Sequence, residues 1–287
     1  MSAQMPIPLP RPSADEGILR STHLRLLLTK RMLVNPHNWR YPLGCPFWRI
    51  YVNNKPGAFI DFDGKRLPLR PDRVVCIPAW LAYHTGSDAE VQHDYVHFEW
   101  SGIAPGWLRR CFPAPLELKL EEPLLSVCRQ WQRSLAQPGP LSVSQHVWTQ
   151  AWIYAVVAAL IEQGGASLQH ELMNRLDAAG PLRPALAKID QGLATPLLNP
   201  ELAVSCGMST DHFIKCFKKA FGSTPAQYQL AQRVMQAAGW LVSTDWPLEE
   251  IAARTGFADR FHFSRAFSAR LHESPAAYRR KFRLERA

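Results

Sequence analysis

The sequence has six cysteines but no C-x-x-C pair, and at 287 residues it can bury a core without a disulfide scaffold. Reduced thiols in a cytosolic protein are the expectation. Long apolar runs are missing as well: the longest, Trp152 to Ile161, falls far short of the roughly 20 residues that a membrane-spanning helix needs. The sequence therefore predicts no transmembrane helix and no membrane partner. The amino terminus, Met1-Ser-Ala-Gln-Met-Pro-Ile-Pro-Leu-Pro, has neither a basic start nor an unbroken apolar core, so it does not read as a signal peptide. Residues 1–20 are expected to be a mobile Pro-rich arm of a cytoplasmic chain. No segment reads as a nucleophile elbow or a phosphate loop, and no cofactor is expected. Acidic residues are the scarcer charge, 24 against 33 Lys/Arg, for a net +9. From Pro181 onward 15 basic against 9 acidic residues give +6, while 18 against 15 before it give +3. A polyanion is the first partner to consider, and it should meet the last third of the chain.

The length fits two domains. Between Leu24 and Trp100 short apolar runs such as Trp48-Arg-Ile-Tyr-Val and Ala58-Phe-Ile-Asp-Phe alternate with turn signals, Asn53-Asn-Lys-Pro-Gly and Asp63-Gly. That punctuation predicts antiparallel hairpins, hence a small barrel or sandwich. Leu124 to Ala136, Ser142 to Gln163 and Ser167 to Ala178 have helical length and spacing, broken by Gln137-Pro-Gly-Pro and Gly164-Gly165. Gly180-Pro181 marks a boundary. The fold class is α+β: a β-barrel over 21–120, a helical hairpin and linker over 121–180, and an all-α domain over 181–287.

The all-α part repeats itself. Leu202-Ala203, Gly207-Met-Ser, Phe213, Phe217, Gly222, Thr224-Pro225 and Tyr228 return as Ile251-Ala252, Gly256-Phe-Ala, Phe263, Phe267, His272, Ser274-Pro275 and Tyr278. The offset grows by one residue inside the second copy's turn or helix start. Each copy reads as helix, Gly turn, second helix and Pro-initiated third helix, a helix-turn-helix unit. Asn199, Thr224, Asp245 and Ser274 read as polar N-caps ahead of prolines. Phe213, Phe217 and Phe221, and Phe263, Phe267 and Leu271, fall on one face at helical spacing and are assigned to core.

The opposite faces carry Asp211, Ile214, Lys215 and Lys218 in the first unit and Arg260, Phe261, Ser264, Arg265 and Ser268 in the second. Basic forks suit guanine edges and apolar groups suit thymine methyls, so such faces fit a major groove; a solvated helix would also carry charges. The tail Tyr278-Arg-Arg-Lys-Phe-Arg283 meets phosphates or is a solvated terminus, with Arg279 the candidate phosphate contact. Asp211 either accepts from a cytosine amino group or caps its helix.

Leu248-Glu-Glu-Ile-Ala-Ala-Arg-Thr-Gly-Phe-Ala-Asp-Arg-Phe-His-Phe-Ser-Arg-Ala-Phe-Ser, with Ser274-Pro-Ala-Ala-Tyr-Arg279, resembles the C-terminal signature of the AraC/XylS family of transcription regulators, and the first copy is similar to that family's first unit. The resemblance spans roughly 100 residues. It implies two helix-turn-helix subdomains joined by a long helix, about Pro225 to Ser243, with the reading helices in successive major grooves of double-stranded DNA. By position it implies base contacts at Asp211, Ile214, Lys215, Arg260, Phe261, His262 and Arg265. His272 stands where the family usually has Gly, which implies a residue at positive φ.

The first half resembles the cupin-type sensor domains attached to many members of the family. That implies a small-molecule effector in the barrel and a homodimer through the helical pair; RNA polymerase is a further partner to consider for a regulator. Trp148, Trp152, Val156 and Ala159 follow helical spacing and form either the dimer seam or barrel packing. Trp48, Trp80 and Trp100 are candidates to line a pocket or to be core. A metal-dependent cupin enzyme is the competing reading: Pro78 and His84 are similar to a cupin second motif, and His93, His97 and Glu99 share a strand face. The first motif fails, because Trp39 stands where a second His belongs in His37-Asn38-Trp39. Sequence-independent DNA packaging is the third reading.

Overall fold

The computed structural model describes residues 23–136, 141–195 and 197–283. The expected Pro-rich arm and the Gln137-Pro-Gly-Pro break lie outside the described residues. Among the described residues, nine strands form two antiparallel sheets. One has the order β1 (His23–Val34), β8 (Val91–Ser101), β3 (Trp48–Asn53), β6 (Arg73–Ile77) and β9 (Leu116–Lys119); the other has the order β2 (Pro42–Gly44), β7 (Ala82–Ser87), β4 (Ala58–Phe62) and β5 (Lys65–Pro68). The expected β-domain thus takes a two-sheet form. The Asp63-Gly64 turn signal works as read, with both residues at positive φ (50° and 70°) joining β4 to β5 by a two-residue loop.

Period-two alternation explains why the five-stranded sheet is buried on both faces. Arg49, Tyr51, His93, Tyr95 and His97 point toward the second sheet, where Tyr83 of β7 meets Arg49 and Tyr51. Trp48, Ile50, Val52, Val96, Phe98 and Trp100 point the other way and are covered by α1 (Pro105–Cys111), α2 (Leu124–Leu135) and α3 (Val143–Gln163). Trp152 stacks on Trp131 at 5.4 Å and is fully buried with Val156, so these two are barrel packing and not a seam. The exposed side of α3 instead carries Val143 (83% exposed), Val147, Trp148 and Tyr154.

Gly164-Gly165 break the chain into α4 (Gly165–Ala179), a 3-10 turn (Gly180–Leu182) and α5 (Arg183–Gln191). The two helix-turn-helix units follow as α6 (Asn199–Ser205) with α7 (Thr210–Phe221), and α9 (Leu248–Arg254) with α10 (Arg260–Leu271), joined by α8 (Pro225–Ser243) and closed by α11 (Pro275–Arg283). Phe213, Phe217 and Phe221 are buried with Tyr228, Ala179, Leu182 and Ile189, so the first unit's core begins in α4, ahead of Gly180-Pro181. Each such phenylalanine contributes roughly 1.5–3 kcal/mol of burial. The second unit is packed differently. Phe263, Phe267, Tyr278, Ile251 and the α8 residues Val234, Ala237 and Leu241 share one continuous apolar cluster with Trp39, Tyr51 and Tyr95 of the β-domain. Gly239 of α8 lies beside Leu27 of β1.

Candidate nucleic-acid interface

Each unit is built by the same local devices. After α6 the chain turns at Gly207 (φ 66°), with the Met208 N–H donating to the Ala203 carbonyl at 3.0 Å; after α9 it turns at Gly256 (φ 73°), with Phe257 donating to Ala252 at 2.9 Å. Ser209 caps α7 by accepting from the His212 N–H (3.4 Å), and Asp259 caps α10 by accepting from Phe261 (2.8 Å) and His262 (2.6 Å). One residue lies between Gly207 and Ser209 and two lie between Gly256 and Asp259, which places the extra residue of the repeat in the turn. Those backbone N–H groups, above all that of His262, hold the Asp259 carboxyl below its usual range. Asp211 is therefore not the cap; it stands exposed in the first turn of α7.

Gly222 (φ 69°) and His272 (φ 57°) end α7 and α10 equivalently, their N–H groups donating to Lys218 and Ser268. The Thr224 and Ser274 caps form, the first as a box with Gln227. The other two do not. Asn199 lies inside α6, whose Leu198 cap position is served by Glu201 reaching back, and Asp245 is replaced by Pro247 at the start of α9. In both cases a proline marks the helix start and the residue at the cap position, Leu198 or Pro247, has no side-chain oxygen to offer.

With both Phe stripes inward, the opposite faces are open. Asp211, Lys215, Lys218, Arg260, Phe261, His262 and Arg265 are exposed, and Ile214, Ser264 and Ser268 are half-buried. Phe261 is 61% exposed, and the Arg260 guanidinium lies 4.7 Å from its ring centre while pairing with Glu249 at 2.8 Å. Arg279 is placed otherwise than a phosphate contact requires: its guanidinium donates to the Trp246 carbonyl inside the unit, and the neighbouring Arg280 faces outward. Lys281 pairs with Glu273 at 3.4 Å. A brace absent from the sequence reading is Arg233 of α8, which donates to the Gly256 carbonyl (2.9 Å) and the Thr195 carbonyl (3.2 Å), tying the second turn to the start of the first unit. Only a fold brings these groups together, so no local pattern marks it. His212 and Cys216, 3.5 Å apart one turn from each other on α7, also escaped that reading.

The β8 residues considered as metal ligands have other partners. His93 bonds Asn53 at 2.7 Å, the His97 Nε2 accepts from Arg49 at 3.2 Å, and Glu99 pairs with Arg25, while His84 is exposed on the other sheet. Burial pushes His93 down to about 3, and burial with the adjacent Arg49 holds His97 well below the ordinary range, so both imidazoles are neutral. Trp39 lies in the core against His93, with ring centres 4.7 Å apart.

A helix-turn-helix domain family matches residues 202–281. The MmsAB operon regulatory protein of Pseudomonas aeruginosa is 31% identical over 125 residues, 41% of each chain. The transcriptional regulator Rob of Salmonella typhimurium is 32% identical over 105 residues, 37% of this chain and 36% of that one. Among solved structures, the DNA-binding domain of AdpA in complex with a target DNA is 34% identical over 37% of this chain and 96% of that one, with a TM-score of 0.35. The chain thus spans less than half the length of these curated relatives. With the tandem units, their turns and their caps in place, residues 202–281 are a helix-turn-helix domain, as the matching family describes it.

Proposed function

We propose that the chain is a sequence-specific transcription regulator of the AraC/XylS type that acts in the cytoplasm, binds operator DNA through α7 and α10, and is controlled by a small-molecule effector. The carrying observation is the pair of open polar faces on two helices whose other sides are locked by buried phenylalanines. Lys215 and Lys218 with Ile214, and Arg265 and His262 with Phe261, supply forks, donors and an apolar contact for base edges; Asp211 is placed to accept from a cytosine amino group. Ser264 adds a hydroxyl, and Arg280 takes the phosphate role that Arg279 is not free to fill. The exposed Val143, Val147 and Tyr154 on α3 support a homodimer through that helix. RNA polymerase is the further partner of a regulator so placed. The test is titration of the full chain into its own upstream DNA against an excess of unrelated DNA at two salt concentrations. Retention on the upstream fragment with a steep salt slope supports the reading; equal affinity for both DNAs overturns it.

A further inference from the structure

A cleft of about 910 Å³ opens where the β-domain, α4 and both helix-turn-helix units meet. Its wall carries Arg109, Arg110, Arg175, Lys219 and Arg270, and among the described residues no carboxylate lines it. Glu171 stands near it and is taken by Arg175 (3.1 Å) and the Trp107 indole. Arg270 donates to the Gln227 carbonyl at 3.3 Å, and burial holds its guanidinium below the ordinary value. Gathering cations in a partly desolvated recess costs electrostatic energy that an anion relieves, and guanidinium forks suit planar oxyanions.

The cleft has an apolar continuation. Trp48, Trp80, Trp100, Pro46 and Leu108 line a narrow slot of about 20 Å³, and Trp80, Pro105, Arg109 and Met235 line both slot and cleft. Trp80 sits at the junction with its backbone at φ 69°, a conformation bulky residues rarely adopt, pinned by its N–H donating to the Cys45 carbonyl at 2.6 Å. The candidate pocket tryptophans of the sequence are thus brought together, outside the interior between the two sheets.

We propose that this cleft binds a small organic anion, its charged group among Arg109, Arg110 and Lys219 and its flat apolar body against Trp80 and Met235 at the mouth of the tryptophan slot, and that this is the effector site. The proposal rests on the effector-controlled reading above and gives it a place and a ligand class. Lys219 ends the first reading helix, Arg270 ends the second, and Arg109 belongs to the β-domain, so one bound anion biases the placement of both units on the sensor half.

The test uses the full chain with 8-anilinonaphthalene-1-sulfonate and its uncharged counterpart, N-phenyl-1-naphthylamine. The sulfonate should bind saturably and quench tryptophan fluorescence. The double variant Arg109→Ala/Arg110→Ala should weaken it about 10-fold or more, while the uncharged probe changes by no more than about twofold. Lys219→Ala should shift the sulfonate in the same direction and serves if the double variant does not fold. Trp80→Gly, which accepts the positive φ, should weaken both probes. Sulfonate affinity unchanged in a folded Arg109→Ala/Arg110→Ala chain overturns the proposal. So does unchanged sulfonate binding with weakened DNA binding, which would make the cleft a phosphate contact. Arg265→Ala should leave the sulfonate untouched, so loss of DNA discrimination and loss of the effector site are read separately.

Discussion

At the scale of single residues, Arg265 and Arg279 have different tasks although both lie in the second unit. Arg265 projects from the open face of α10, so Arg265→Ala should cost roughly 1–3 kcal/mol on the preferred operator and relax discrimination at one or two base pairs. Competition binding with single-base operator variants measures it; a uniform loss across all sequences would contradict base reading. Arg279 serves the fold. Arg279→Ala leaves the half-buried Trp246 carbonyl region without its donor, which should lower stability by about 1–3 kcal/mol with an unchanged salt slope of DNA binding, as thermal melting and salt titration would report. The sequence marks Arg279 as basic and near a terminus, but its acceptor lies 33 positions earlier and no local spacing points to it. The buried histidines give a pH dependence. Their folded-state values lie below the ordinary value near 6.5, His93 at about 3, so the unfolded chain takes up protons first as pH falls. Stability should be full above about pH 6.5 and decline from there toward about pH 3, by up to roughly 1.4 kcal/mol per pH unit for each imidazole. Urea midpoints of the chain and of His93→Gln between pH 7 and 5 test this; equal slopes would contradict it.

At the scale of elements, the two turn glycines separate conformational need from space. Both take positive φ, but a Cβ at Gly207 meets open space, whereas one at Gly256 would stand 2.6 Å from the carbonyl oxygens of Leu193 and Ala194. Gly207→Ala should cost about 1–2 kcal/mol and keep DNA binding. Gly256→Ala must push the second turn off the segment that enters the first unit, and should cost more and disorder the second unit's DNA contacts; circular dichroism melts with footprinting would show the second half-site lost. Equal effects would mean that the close approach is not rigid. The repeat itself was legible because its signals are local: Gly where φ is positive, Pro after a cap, Phe every fourth residue, and a linking helix with the bounds expected. Cap identity was less so. Asn199 and Asp245 have the right chemistry one and two residues ahead of a proline, yet the backbone sets the helix start elsewhere.

At the scale of the whole molecule, the two units depend differently on what precedes them. Helical spacing told that α3 has an apolar side but not what covers it, so Trp152 and Val156 were as readily a seam as core. The same blindness hid the fusion of the second unit's core with the β-domain and the reach of the first unit's core back to Ala179. A fragment beginning at Gly165 should accordingly melt higher than one beginning at Pro181, and both should melt below the full chain; equal melting of the two fragments would contradict this packing. The account turns on two reading helices acting on one DNA. Selection of bound sequences from a random DNA pool by the purified full chain tests that directly. The expected motif has two conserved elements with centres roughly 10–10.5 bp apart, one helical turn, and Arg265→Ala relaxes only one of them. A pool with no enriched sequence, or a single short element insensitive to Arg265→Ala, would contradict it.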